Sequence, residues 1–186
     1  FHMMEKVAAG KMPASALDTV RLQNKTLYPK RTIQLYFTSN HDENSWNGTE
    51  FERLGKAARS FAVLTYMLPG MPLIYSGQEA GFDRRLAFFE KDEIDWSDPQ
   101  GFGNFYKELN AFKKQNKALL APERDGEMTE INNDQPGKVW SFKRMNEGDE
   151  VVCLFNFSKE RVKVAFTEMI PGEGYVSFPD STEVTA

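Results

Sequence analysis

At 186 residues and 21.3 kDa the chain has room for one large domain or two small ones, and it is too short for a complete (β/α)8 barrel of roughly 250 residues with a further domain attached. Hydrophobic residues at 40% against 27% charged describe a folding chain with a core and exclude general disorder. A net charge of -4 gives no basic surface for a nucleic acid, no apolar run approaches the ~18 residues of a membrane span, and the single Cys153 excludes an intrachain disulfide.

In chain order, a helix is expected from Pro13, with Leu17, Val20 and Leu27 on one face and Tyr28-Pro29 ending it. Thr32 to Phe37 is β-branched and aromatic, which predicts a strand. A polar loop from Asn40 to Gly48 then leads into Thr49-Glu50-Phe51-Glu52, where Thr49 and Glu52 have the spacing of a capping box. The helix it opens carries Phe51, Leu54, Ala58, Phe61, Ala62 and Leu68 at helical spacing up to Pro69-Gly70. Pro72 to Tyr75 reads as a short apolar strand buried on both faces, as in a parallel sheet covered by helices. Residues 77–101 have loop character, and a helix comes next from about Phe102 to Leu119, with Phe105, Leu109 and Phe112 on one side and Lys107, Lys113, Lys114 and Lys117 elsewhere.

Beyond about Pro122 the period becomes two. Met128–Asn132, Lys138–Met145, Glu150–Phe157 and Arg161–Phe166 are candidate strands, with turn-like separators that make antiparallel neighbours of them. The strand-helix-strand half cannot close a sheet by itself. The chain is therefore expected to be a fragment, with further βα units before it and open sheet edges available for self-association.

Reactive groups of parallel α/β folds sit at the carboxyl ends of strands, which directs attention to Thr38-Ser39-Asn40-His41-Asp42. An imidazole beside a carboxylate can bind hydroxyls and stabilise a developing cation, the need of glycoside chemistry, and equally suits a cap or a turn. Trp46, in the same loop, is the best candidate for a flat face against a sugar ring; Tyr75 is assigned to packing, and Trp96 and Trp140 to a core. Arg84 and Arg85 read as a solvated loop pair. The two histidines, His2 and His41, are far apart in sequence and Cys153 has no companion at ligand spacing, so no metal ligand is assigned.

Phe37-Thr38-Ser39-Asn40-His41-Asp42 resembles the fourth conserved region of the α-amylase family of glycoside hydrolases, at the end of its seventh barrel strand. Pro69 to Glu79 is similar to that family's eighth strand and the loop after it. The resemblance implies an α/β plus all-β fold: residues 1–121 as the C-terminal portion of a (β/α)8 barrel, and 122–186 as a small antiparallel β-sandwich domain that is expected to be truncated, lacking after Gly174 the apolar last strand that closes the family's β-domain. It implies that Asp42 is the third active-site carboxylate, that His41 and Asn40 bind substrate, and that Glu79 is a loop residue bonded to backbone. The nucleophile and general acid have no counterpart here, so the chain alone is expected to be inactive and the partners to be an α-glucan and the missing barrel. It also implies no cofactor in this chain, any calcium being held by a domain inserted earlier in the barrel. Two other readings stay open, a non-enzymatic relative of the transporter heavy-chain type and a glucan-binding module.

Overall fold

A computed structural model of the chain describes residues 1–29, 32–120 and 127–167. Two helices open it, α1 (His2–Ala8) and α2 (Ala16–Leu27). In α2 the buried residues are Ala16, Leu17 and Asp18 of the first turn, whereas Leu27 is 72% exposed. The expected apolar stripe therefore operates only where α2 meets its neighbours, and Leu27 does not belong to the core.

Strands β1 (Gln34–Tyr36) and β2 (Gly70–Pro72) pair in parallel, with Gln34 opposite Gly70, Leu35 opposite Met71 and Tyr36 opposite Pro72. Glycine at 70 is required by this register, because a Cβ there would strike the Gln34 carbonyl and the Tyr36 ring. The expected strand at Pro72–Tyr75 thus begins two residues earlier and stops at Pro72, although Leu73 N still donates to Tyr36 O at 2.8 Å. Nor is it buried on both faces. Leu35 and Met71, neighbours across the pair, are about half exposed, and Leu73 to Tyr75 are half-buried.

The crossover runs through α3 (Glu50–Leu54), a 3-10 turn (Gly55–Ala57) and α4 (Ala58–Met67). The capping box is formed in full: Thr49 accepts from Glu52 N, and the Glu52 carboxylate accepts from Thr49 N. The single long helix expected here is broken at Gly55, whose φ of 55° lies outside the helical region. Both pieces still share one inner face of Leu54, Ala58, Phe61, Ala62 and Leu64.

Helix α5 (Phe102–Gln115) begins where the Asp98 carboxylate accepts from Phe102 N and Gly103 N, at 2.6 and 2.9 Å. Phe102, Tyr106 and Leu109 form its buried stripe, with Phe105 and Phe112 half-buried beside it. The helix ends earlier than expected, and a separate 3-10 turn takes up Lys117–Leu119. Lys113 does not stand on the outer face. Its Nζ donates to Tyr66 O (2.9 Å) and Leu119 O (2.8 Å), and burial lowers its pKa to about 8.

The second sheet is antiparallel, in the order β3 (Glu127–Glu130), β4 (Val139–Asn146), β5 (Asp149–Asn156). Glu147 and Gly148, both at positive φ, make the two-residue hairpin between β4 and β5. On β5 burial alternates, with Val151, Cys153 and Phe155 inward, while β4 is covered on both sides, so Trp140, Ser141, Phe142 and Arg144 are all buried. The fourth expected strand, Arg161–Phe166, does not form. Asn156 Nδ2 and Ser158 Oγ both donate to Glu160 O, turning the chain away from the edge of β5, and Phe166 makes a lone bridge to Asn133. The boundary expected at residue 121 and the lacking strand after Gly174 lie outside the described residues.

The two sheets share a continuous core. The Phe61 ring stacks on Phe157 at 4.5 Å, and Arg144 Nη1 donates to Met67 O, a last-turn carbonyl of α4, at 2.9 Å. Trp140 joins this core as expected, but Trp96 is 57% exposed.

Burial pushes the Cys153 thiol up to about 12, far from thiolate at neutral pH. The native chain is therefore expected to be inert to a thiol-specific disulfide reagent and to take up one equivalent on denaturation. Labelling of the native chain at the rate of a free thiol would show that β5 does not lie as described.

Candidate active site

After β1 the chain enters a buried step, Thr38-Ser39, each 2% exposed. Asn40 then caps the next turn of chain: its Oδ1 accepts from Glu43 N at 2.8 Å and its carbonyl accepts from Asn44 N at 2.9 Å. The polar loop expected at 40–48 is in consequence wound into a helical turn through His41 and Asp42 and a π-helical turn over Glu43–Asn47, closed by Gly48 N on Glu43 O at 3.0 Å. This places His41 and Asp42 on the outer side of the first turn. Their side chains are 67% and 60% exposed, with His41 Nε2 at 3.6 Å from Asp42 Oδ2. Trp46, one turn on, is also exposed. Asn40, His41, Asp42 and Trp46 are thus brought together on one short stretch, with the carboxamide oxygen of Asn40 used as its cap.

A buried polar network fixes this turn from behind. Glu50, in the first turn of α3 and 3% exposed, accepts through Oε2 from Thr38 Oγ1 and from Gln78 Nε2, both at 2.6 Å. Gln78 comes after β2. Its Nε2 reaches Thr38 Oγ1 at 2.8 Å, and its Oε1 accepts from Tyr75 N at 2.7 Å. The ends of both parallel strands are so tied to one carboxylate. Arg53, one turn further along α3, donates from Nη2 to Thr38 O and from Nε to Gly48 O, each at 2.8 Å, and from Nη1 to Glu5 at 3.1 Å. One guanidinium thereby spans both ends of the turn that carries His41 and Asp42.

The loop after β2 closes against the same turn. Gly77, at φ 94°, reverses the chain in the left-handed region that a side chain rarely enters. Glu79 Oε2 accepts from Gly77 N at 3.1 Å, the backbone role expected of it. Asn44 holds the loop through Leu86 N and Arg84 O, while Thr49 donates to Asp83. Arg84 and Arg85 are about half exposed, as expected of a solvated loop pair, and each also has a carboxylate partner: Arg84 forms a two-pronged bridge to Asp92, and Arg85 bonds Glu52 at 2.9 and 3.2 Å. The Arg84 guanidinium holds the Asp92 carboxyl well below the usual carboxylate range.

Sequence reasoning missed Glu50, Arg53 and Gln78: Glu50 lies inside a capping motif that already explains its surroundings, and Arg53 directly follows that motif. It also missed Phe88 and Phe89, which belong to no periodic segment; Phe88 lies 5.8 Å from His41 and 5.3 Å from Trp46. Among the described residues no three His, Cys, Asp or Glu side chains are grouped as they would be to hold a cation.

Glu50 Oε1 has no hydrogen-bond partner among the described residues, and burial raises the Glu50 pKa above its ordinary 4.5 despite the bonds from Thr38 and Gln78 and the charge of Arg53. A carboxyl whose folded pKa is raised contributes stability that is lost as pH rises from the unfolded value through the folded one. Glu50→Gln keeps one carbonyl oxygen for both donors and removes the titration. Urea denaturation of the two proteins from about pH 4 to about pH 7 is expected to show wild type losing stability relative to the variant as pH rises. A flat or opposite difference would show that burial does not dominate at Glu50.

No family model matches the sequence. Among curated proteins, the chain is 24% identical over 184 residues to the alpha-amylase MalA of Haloarcula japonica, an alignment covering 93% of this chain and 26% of that protein. Over 109 residues it is 29% identical to the 1,4-alpha-glucan branching enzyme GlgB of Corynebacterium jeikeium, covering 54% of this chain and 15% of that enzyme. Among solved structures it is similar to a noncanonic maltogenic alpha-amylase, AmyB, of Thermotoga neapolitana, with a TM-score of 0.73, 22% identity, and coverage of 89% of this chain and 38% of that one. The alpha-amylase of H. orenii gives a TM-score of 0.57 at 20% identity, covering 83% and 36%. The chain spans about a quarter of the length of the first of these relatives. Parallel β1 and β2 with their helices, together with the antiparallel sheet after them, are accordingly part of a (β/α)8 barrel and its C-terminal β-domain. In sequence and in fold the chain is similar to a part of alpha-amylases, and in sequence to a part of 1,4-alpha-glucan branching enzymes.

Proposed function

We propose that this chain is the C-terminal part of a retaining glycoside hydrolase acting on α-glucans, with residues 1–121 completing the catalytic barrel and 122–186 forming the β-domain. The observation that carries the reading is the His41–Asp42 pair, set side by side and open to solvent on a turn at the carboxyl end of a parallel strand. In retaining hydrolysis one carboxylate attacks the anomeric carbon while a second carboxyl group protonates the leaving oxygen, through a transition state with oxocarbenium character. Asp42 takes neither part. Its negative charge faces the developing positive charge and its oxygens accept from sugar hydroxyls, and His41 bonds the same ring. The nucleophile and the acid come from residues outside this chain.

In an enzyme that joins this chain to those two groups, Asp42→Ala is expected to lower kcat about a thousandfold, the equivalent of about 4 kcal/mol of lost transition-state stabilisation. Turnover near wild type would overturn the assignment. The 186-residue polypeptide by itself is expected to release no reducing sugar from soluble starch. Release that disappears in Asp42→Asn would instead mean that the chain contains a whole catalytic site.

A further inference from the structure

We propose that Phe88 and Phe89, together with Trp46, form a stacking platform for a glucose ring of the α-glucan, immediately beside the His41–Asp42 pair; this rests on the α-glucan reading above. The three rings are in mutual contact, with centroids at 4.7 Å for Phe88–Phe89, 5.3 Å for Trp46–Phe88 and 6.3 Å for Trp46–Phe89. They remain open to solvent, Phe89 at 84%, Trp46 at 58% and Phe88 at 37%. Three touching aromatic side chains left this exposed make a contiguous apolar patch of the kind that marks a binding surface.

The patch is built before any ligand arrives. Asp92 accepts both prongs of Arg84 (2.8 and 2.7 Å) and also Ala87 N (2.9 Å), Arg84 Nη2 donates to Glu93 O (2.7 Å), and Leu86 N is held by Asn44 Oδ1 (2.8 Å). Residues 84–93 are thus folded around one carboxylate, with Phe88-Phe89 at the free edge and anchored to the turn that bears His41. The backbone on either side of these two residues is thereby fixed before binding, which lowers the cost of ordering the loop.

The chemistry of the occupant is set by the groups that lie side by side. A pyranose presents C–H groups on its faces and hydroxyls around its rim, so it needs an aromatic face next to a few hydrogen-bonding groups. Here Phe88 is 5.8 Å from the His41 ring, and Asp42 is next to His41. Phenylalanine has no polar edge, so Phe88 and Phe89 supply stacking alone, and the orientation of the sugar comes from the polar groups beside them, His41 and Asp42 above all. An apolar protein surface would have no use for that exposed pair at the rim of the patch.

The test is calorimetric titration of this chain with maltoheptaose, for wild type, Phe88→Ala/Phe89→Ala and Phe88→Leu/Phe89→Leu, with thermal unfolding to confirm that all three fold alike. The expected result is binding by wild type that weakens about tenfold or more in the alanine variant, and is not restored in the leucine variant, which keeps apolar bulk without a ring face. Equal binding by all three would overturn the platform and leave the α-glucan reading standing. No binding by wild type would overturn the platform as a site built within this chain, while the α-glucan reading stands or falls on the turnover of the Asp42→Ala enzyme. Self-association of wild type in sedimentation that disappears in the alanine variant, with unchanged sugar affinity, would assign the patch to contact between copies and likewise overturn the proposal.

Discussion

The arrangement of the site depends on a single turn of helix α3 and the two charged side chains it sends inward. Glu50 collects Thr38 and Gln78, which lie beyond the ends of the two parallel strands, and Arg53 collects the carbonyls of Thr38 and Gly48 at either end of the turn that carries the His41–Asp42 pair. Two strands paired over three residues are too short to fix the course of the chain beyond their ends. The constraint comes instead from charge-assisted bonds in a place where water does not compete, since Glu50 and the Arg53 side chain are 3% and 6% exposed. Loss of either partner would leave a charge buried with unmet bonding demand, which costs more than the bond itself contributes.

That helical turn is in turn fixed from both ends. At its start the capping box ties Thr49 to Glu52, and Thr49 also donates to Asp83, so the cap of the crossover helix is the point where the loop after β2 is moored. Beyond Gly55, α4 buries Phe61, Leu64 and Tyr66 and ends on carbonyls that take donors from Lys113 and Arg144. These two cations come from α5 and from β4, so the end of α4 joins the barrel portion to the β-domain. A path of direct contacts therefore leads from the antiparallel sheet, through α4 and α3, to the turn with His41 and Asp42.

Much of this is legible in the sequence where one local rule governs the residue. The capping box at Thr49 and Glu52, the stripe on α5 and the alternation on β5 are consequences of spacing alone, and His41, Asp42 and Trp46 do share one short stretch. The features that escape sequence reading are set by bonds and contacts that no period or composition reveals. Asn40 winds residues 41–47 into helical turns that composition reads as loop, and Gln34 and Tyr36 force β2 to start at Gly70. The bonds of Asn156 and Ser158 to Glu160 divert the segment expected to make a fourth strand. Trp96 and Leu27 are of types that usually point inward, yet burial depends on a neighbouring element being present to cover them.

The exposure of Asp42 bears on how the proposed chemistry is divided. A fixed carboxylate stabilises a developing cation in proportion to how little water screens it: at about 4 Å a pair of unit charges is worth about 1 kcal/mol in bulk water and about 4 kcal/mol at an effective dielectric near 20. With its side chain 60% exposed, Asp42 is close to the first of these limits in this chain. On the proposed reading, its full contribution appears only when walls from the remainder of the barrel and the bound sugar displace that water. An aromatic platform beside it serves the same end, because a ring stacked on Trp46, Phe88 and Phe89 excludes solvent from one side of the His41–Asp42 pair. Binding a sugar and strengthening the carboxylate would then be one event, and the buried network behind the turn keeps the carboxylate from moving when it occurs.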